Sequence, residues 1–145
     1  MGESIESCKF CRIIAGELPA VIVHESPQAI SFFPDKPVTL GHTLVVPRDH
    51  VADILTLSDE AADAVLMESR HVGRAIMRAL SPDGLNLISS VGEAASQSVF
   101  HLHMHLVPRW YGDAFGDFWP KSPEWSDNDK RAAAKQIRLA AQGSQ

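Results

Sequence analysis

The chain is short of cysteine, short of cations and without a long apolar run. Two cysteines in 145 residues cannot build a disulfide scaffold, which needs several bridges and an oxidising compartment. Thirteen Lys and Arg stand against eighteen Asp and Glu, a net charge of −5. No Lys/Arg-rich run appears, so no surface for a nucleic-acid polymer is expected. A small phosphorylated ligand stays compatible, because a local site can overrule the global charge. The apolar stretches fall far short of the ~20 residues that span a bilayer. The N-terminal segment MGESIESCKF has neither the basic start nor the apolar core of a signal peptide. The expectation is a soluble cytoplasmic protein with no membrane contact.

What is present is enough apolar residue, 45% of the chain, to fill the core of one domain. That domain is expected to span residues 1–145, with its core over about 8–110 and a C-terminal segment and helix over 111–145. CRIIAGEL reads as a short helix ended by Gly16 and Pro19. Residues 20–25 and 28–33 read as paired strands around the Ser26-Pro27 turn, and 42–46 as a third strand stopped by Pro47. Ser58 is a helix N-cap followed by Asp59 and Glu60, where the helix dipole favours negative charge. From there Ala62, Val65, Leu66, Ser69, Val72, Gly73, Ile76, Met77 and Leu80 recur at spacings of three and four. That pattern predicts one helix face laid on a sheet. Ser81-Pro82-Asp83-Gly84 is a turn, and 85–89 a strand. FHLHMHLVP reads as the last strand, stopped by Pro108, and residues 127–141 as a terminal helix. The expected class is α+β, a five-stranded and mostly antiparallel sheet with a long helix.

Cys8 and Cys11 form a C-x-x-C pair. Such a pair is half of a metal site, a redox couple or chance. A thioredoxin-type pair follows a strand and opens a helix, whereas only a short polar tail precedes Cys8. A zinc site needs two further ligands from elsewhere in the chain.

The alternation His101, His103, His105 is the strongest chemical signal. Alternate residues of a strand point to one face, which sets successive imidazoles about 7 Å apart. Leu102, Met104 and Leu106 then face an apolar layer. Three imidazoles so placed can bind a metal, or attack and shuttle protons near neutrality. The loop before them, Gly92 to Ser98, is small and polar. Its backbone N–H groups and the Ser98 hydroxyl could approach an anion. The plain alternatives are a half-exposed polar strand face and an ordinary turn. His24 and His71 read as surface histidines. Trp110, Trp119 and Trp125 could cover a pocket, meet a partner chain or simply pack.

GEAASQSVFHLHMHLVPR resembles the signature of the histidine triad family. CKFCRIIAGELPA resembles that family's N-terminal segment, GHTLVVPRDH its central strand and turn, and GDAFGDFWP a C-terminal segment of bacterial members. The resemblance covers most of residues 8–110 and implies the family's HIT-like fold. It implies a purine nucleotide of the AMP type as ligand, a homodimer, and hydrolysis or transfer of AMP held in phosphoramidate or dinucleoside polyphosphate linkages. By resemblance His103 is the nucleophile that forms a nucleotidyl-histidine. His105 contacts the phosphate or the leaving group, and His42 supports the cluster by hydrogen bonding. Ser90, Gln97, Ser98 and Val99 match the phosphate region. Phe10, Ile13, Phe32 and Leu44 match the base pocket. The zinc-containing bacterial members imply a structural zinc on Cys8, Cys11, His50 and His101, which turns His101 from a triad member into a metal ligand.

Three departures from the family pattern bear on rate and preference. Ser90 stands where many relatives have Asn, and Ser96 where most have Gly. Pro34-Asp35 replaces the usual order of an Asp that binds ribose. A binding or signalling module with little turnover is therefore the alternative to an enzyme. A hydrolase with one metal on His101, His103 and His105 is a third reading.

Overall fold

Among the described residues, five strands form one antiparallel sheet, in which, numbered along the chain, the first lies beside the second, the second beside the third, the third beside the fifth and the fifth beside the fourth. They are β1 (Ile22–Glu25), β2 (Ala29–Phe32), β3 (Thr43–Pro47), β4 (Gly84–Ile88) and β5 (Met104–Arg109). Three α-helices among the described residues accompany them, α1 (Lys9–Ile14), α2 (Asp59–Leu80) and α3 (Asp127–Gln142), with one 3-10 turn over Glu93–Ala95. This computed structural model describes residues 4–143. Met1, Gly2 and Glu3, part of the segment compared above with a signal peptide, lie outside the described residues. The α+β class matches the expectation, and every strand pairing is antiparallel.

β2 and β3 are buried at every residue because both faces of the sheet are covered. Side chains alternate between faces, so each strand supplies two cores. Ala29 and Val45 pack with Leu102 and Leu106 against Val65, Val72 and Ile76 of α2. Ile30, Phe32, Leu44 and Val46 pack on the other face against Cys8, Phe10 and Ile13 of the N-terminal segment. Leu44 pairs with His105 across β3 and β5, so His105 shares the face that α1 covers.

Local chemistry sets the helix ends. Ser58 caps α2 by accepting from the Ala61 N–H at 3.3 Å. α1 ends on Gly16 at φ +78. The Gly16 N–H donates to Ile13 O and the Glu17 N–H to Arg12 O, the paired closure that a left-handed glycine permits. A second glycine, Gly41 at φ +89, lets the turn before β3 lie on the end of α2, because a Cβ there would collide with Leu80 Cδ1.

Several sequence expectations change. α1 stops at Ile14 rather than reaching Leu18. β5 starts at Met104, so only His105 lies in the strand, while His101 sits in a bend and His103 in the irregular segment leading into it. Pro108 does not stop β5. Its carbonyl accepts from Thr39 Oγ1 at 2.7 Å, so its missing N–H faces the side where pairing with β3 has already ended at Leu106. On α2, Val65, Ser69, Val72, Gly73 and Ile76 are buried as expected, but Leu66 is 52% exposed and Glu68 is buried. No residue of α3 is buried. Trp119 and Trp125 are 82% and 66% exposed, so neither packs in the core.

Candidate active site and metal cluster

Four side chains from three separate segments meet behind α1. Cys8 and Cys11, one helical turn apart, face His50 and His101, and their ligand atoms all lie within 4.8 Å of one another. His101 Nδ1 is 3.4 Å from Cys8 Sγ, 3.4 Å from Cys11 Sγ and 3.2 Å from His50 Nδ1. Ideal tetrahedral zinc would set two nitrogens about 3.3 Å apart and a nitrogen and a sulfur about 3.6 Å apart. The observed spacings fit those values. The His101 ring is oriented for the task, because Nε2 donates to Pro47 O at 2.8 Å. That bond leaves the Nδ1 lone pair toward the thiols, the usual arrangement behind a metal-bound histidine. Pro47 can give its carbonyl because β3 has no partner on that side beyond Val45–Met104. The cluster can hold a metal ion.

The other two triad histidines face a pocket of about 420 Å³, within the size range of small-molecule sites. Phe10, Ile13, Phe32, Leu44 and Val99 give it an apolar wall, and His42, Ser98, His103 and His105 line its polar end. Phe10 stands edge-on to both His101 and His103, at ring-centroid distances of 5.9 and 5.1 Å. One aromatic ring therefore joins the cysteine–histidine cluster to the pocket.

Hydrogen bonds assign a tautomer to each imidazole here. The Val38 N–H donates to His42 Nδ1 at 3.1 Å, so neutral His42 carries its proton on Nε2. That Nε2–H donates to His105 Nδ1 at 2.9 Å. His105 is left with Nε2–H as a donor. His103 is set the opposite way, since its Nδ1–H donates to His101 O at 2.8 Å and its Nε2 keeps a lone pair. The two rings lie 4.8 Å apart. A nucleophilic nitrogen and a hydrogen-bond donor thus stand side by side. Burial holds all of these groups toward the neutral form. His105 is lowered from 6.5 to about 4, by desolvation first and then by the His103 and His42 rings. Desolvation likewise lowers His42 and His103. These tautomers also separate the roles of the three histidines: His101 Nδ1 faces the thiols and His103 Nδ1 a carbonyl, so the three rings do not converge on a single metal.

The pocket lining includes Phe10, Ile13, Phe32, Leu44, His42, Ser98, Val99, His103 and His105, and two expected residues are placed elsewhere. Gln97 is buried, but its amide is engaged away from the pocket. It accepts from the Gly92 N–H at 2.8 Å and donates to Ala52 O and Val99 O. It ties the loop down rather than lining the cavity. Ser90 does not line the pocket either. Ser96 adopts φ +69, a left-handed backbone suited to the glycine of the family pattern. Asp35 reaches the pocket mouth, where it pairs with Lys9. The sequence reading missed Val38, whose contribution is a backbone N–H, and the carbonyls of Pro47 and His101. A larger groove of about 530 Å³ between β4 and residues 109–117 carries no histidine, cysteine or serine.

The sequence pattern of the HIT domain matches residues 15–111. The chain belongs to the HIT family. It is 39% identical over 138 residues to the Protein hit of Bacillus subtilis, covering 91% of this chain and 95% of that relative. It is 35% identical over 120 residues to a Schizosaccharomyces pombe relative named adenosine 5'-monophosphoramidase, covering 81% and 86%. A HIT family protein structure from Bacillus anthracis superposes with a TM-score of 0.84 at 35% identity, covering 93% of this chain and 97% of that one. A zinc-bound histidine triad protein structure from Mycobacterium smegmatis superposes with a TM-score of 0.73 at 34% identity, covering 94% and 99%. The α+β sheet described above is thus the HIT fold.

Proposed function

We propose that this HIT-family protein hydrolyses or transfers AMP from phosphoramidate or dinucleoside polyphosphate linkages, through a nucleotidyl-histidine on His103. The observation that carries the reading is the pair of opposed tautomers at His103 and His105. The His103 Nε2 lone pair attacks the α-phosphorus as the bond to the leaving group breaks. The departing group takes its proton from solvent. The His103 ring becomes cationic, and the His101 carbonyl on its Nδ1–H favours that charge. His105 Nε2–H donates to a phosphoryl oxygen or to the leaving atom; with its pKa held near 4, it acts as a hydrogen-bond donor rather than a cationic acid. Water then attacks phosphorus, the electron pair returns to Nε2 and the water proton leaves with AMP. Phe10, Ile13, Phe32 and Leu44 hold the base, and Ser98 with the Val99 backbone borders the phosphate. The relative named a monophosphoramidase supports this class of substrate.

Zinc is the metal proposed for Cys8, Cys11, His50 and His101. Two thiolates and two imidazoles close its shell, which makes it structural. It would pin the N-terminal helix, and with it Phe10, to the histidine segment. The protein is proposed to be a single-domain, cytoplasmic homodimer. The edge strand β4 with exposed Leu87, and exposed Met77 and Leu80 on α2, give a second copy an apolar surface. No described helix is long and apolar enough to cross a membrane.

The test is turnover of an adenosine phosphoramidate. Wild type should turn over and form a covalent adduct one AMP heavier, seen by mass spectrometry after rapid quench. His103→Ala should lose both. Turnover that survives in His103→Ala would falsify the assignment. AMP binding without any adduct in the wild type would favour the second reading, a binding module, for which the altered positions Ser90 and Ser96 speak.

A further inference from the structure

On the opposite face of the sheet, α2 buries a carboxylate among apolar side chains. Glu68 is 5% exposed, where its neighbours Val65, Val72 and Ile76 form core. An unpaired carboxylate there would be costly, and two groups satisfy it. His24 Nδ1 donates to Glu68 Oε1 at 2.7 Å, and Ser31 Oγ donates to the same oxygen at 3.2 Å. His24 and Ser31 are paired across β1 and β2, so the sheet register brings both donors to the helix.

Satisfying Glu68 explains His24 but not His71. His71 lies one turn after Glu68 on α2 and is exposed. Its ring centroid is 4.6 Å from that of His24, with the planes tilted by 50°. Two imidazoles on one metal ion, each bound at about 2.0–2.1 Å, have centroids about 4.5 Å apart at a right angle and about 5.2 Å apart at the tetrahedral angle. The observed separation falls at the near end of that range. When the ring is neutral, the carboxylate on His24 Nδ1 fixes the tautomer and leaves the lone pair on Nε2, and a carboxylate in this position raises the basicity of a metal-bound histidine. His71 and Glu68 line a groove with Gln28 and Met67, which leaves the His71 side of the pair open to water.

We propose that His24 and His71, with Glu68 behind His24, form a second metal site that takes a divalent first-row transition ion. Imidazole donors with open positions suit Zn2+ and, more tightly, Cu2+. This site lies across the sheet from the thiolate cluster and does not depend on the nucleotide chemistry proposed above.

The experiment is calorimetric titration of Zn2+ into untagged, zinc-replete protein. One further equivalent should bind, more weakly than the first. His71→Ala removes an exposed ring, leaves Glu68 satisfied and should weaken that event at least about tenfold. Glu68→Gln should weaken it by about 10- to 100-fold, as loss of an orienting partner does at other sites. Circular dichroism of each variant checks that the fold is kept. Absence of a second event in wild type would overturn the proposal, and so would a second event of equal affinity in His71→Ala. Cys8→Ser should lose the first equivalent and keep the second, which separates this site from the thiolate cluster.

Discussion

His42 Nε2 stands 2.9 Å from His105 Nδ1, and the Val38 N–H occupies the other nitrogen of His42. A single backbone donor therefore decides which way a two-ring relay is protonated, and it presents an N–H rather than a lone pair to the pocket.

His42→Ala should free His105 to take either tautomer. Turnover of an adenosine phosphoramidate should fall about 10²-fold, the scale of one positioned proton-bearing group. KM should change little, because His42 stands behind His105 rather than against the base. A rise in KM with kcat unchanged would show that His42 only shapes the pocket.

Acidification should destabilise the protein. His105 has a native pKa of about 4 against 6.5 for the free group, through burial first and neighbouring rings second. Below 6.5 the unfolded chain binds the proton more readily than the folded one. The stability tied to the neutral ring is complete above pH 6.5 and is lost as pH falls from about 6.5 to about 4. His42 shifts in the same direction. Urea midpoints at pH 7.5 and 4.5 check the sign. His105→Asn should flatten the difference, and a protein that grew more stable toward pH 4.5 would contradict it.

Removing the proposed zinc should loosen α1. A ligand present at about 1,000 times its Kd contributes about 4 kcal/mol, which corresponds to a drop in Tm of about 10 °C for a chain of this size. Cys8→Ser and strong chelator should each produce it, read by differential scanning calorimetry. Phe10 belongs to α1 and lines the pocket, so KM for the nucleotide should rise in parallel. Equal melting with and without chelator would refute the structural role.

Ser96→Gly should stabilise the fold by about 1 kcal/mol. Ser96 holds φ +69, where a Cβ costs about 1–2 kcal/mol, offset in part by glycine's greater freedom when unfolded. Urea denaturation measures it. A destabilised variant would mean that the serine side chain supports the loop.

Much of the fold was legible because periodicity and caps are local. Ser58, Asp59 and the three-and-four spacing marked α2, and β-branched runs marked β2 and β3. The thiolate–histidine cluster was legible only by resemblance, since its members come from three distant segments. Other features depend on partners that leave no side-chain signature. β5 begins later than the histidine alternation predicts, because His101 and His103 are held by bonds to carbonyls rather than by a strand ladder. Gln97 matches the phosphate region by resemblance, and the groups that hold its amide, on Ala52 and Gly92, are backbone groups. Buried Glu68 was unreadable on α2, because the side chains that satisfy it sit on β1 and β2.

The alternation through residues 101–106 puts Leu102 and Leu106 into one core while His105 enters the pocket on the opposite face. A slip of one residue in this segment would exchange the two sets. It would place imidazoles against α2 and leucines beside the thiols. Misaligned chains thus lose the core packing and the histidine-lined pocket together. The alternating histidine pattern doubles as a proofreading device for assembly of the sheet.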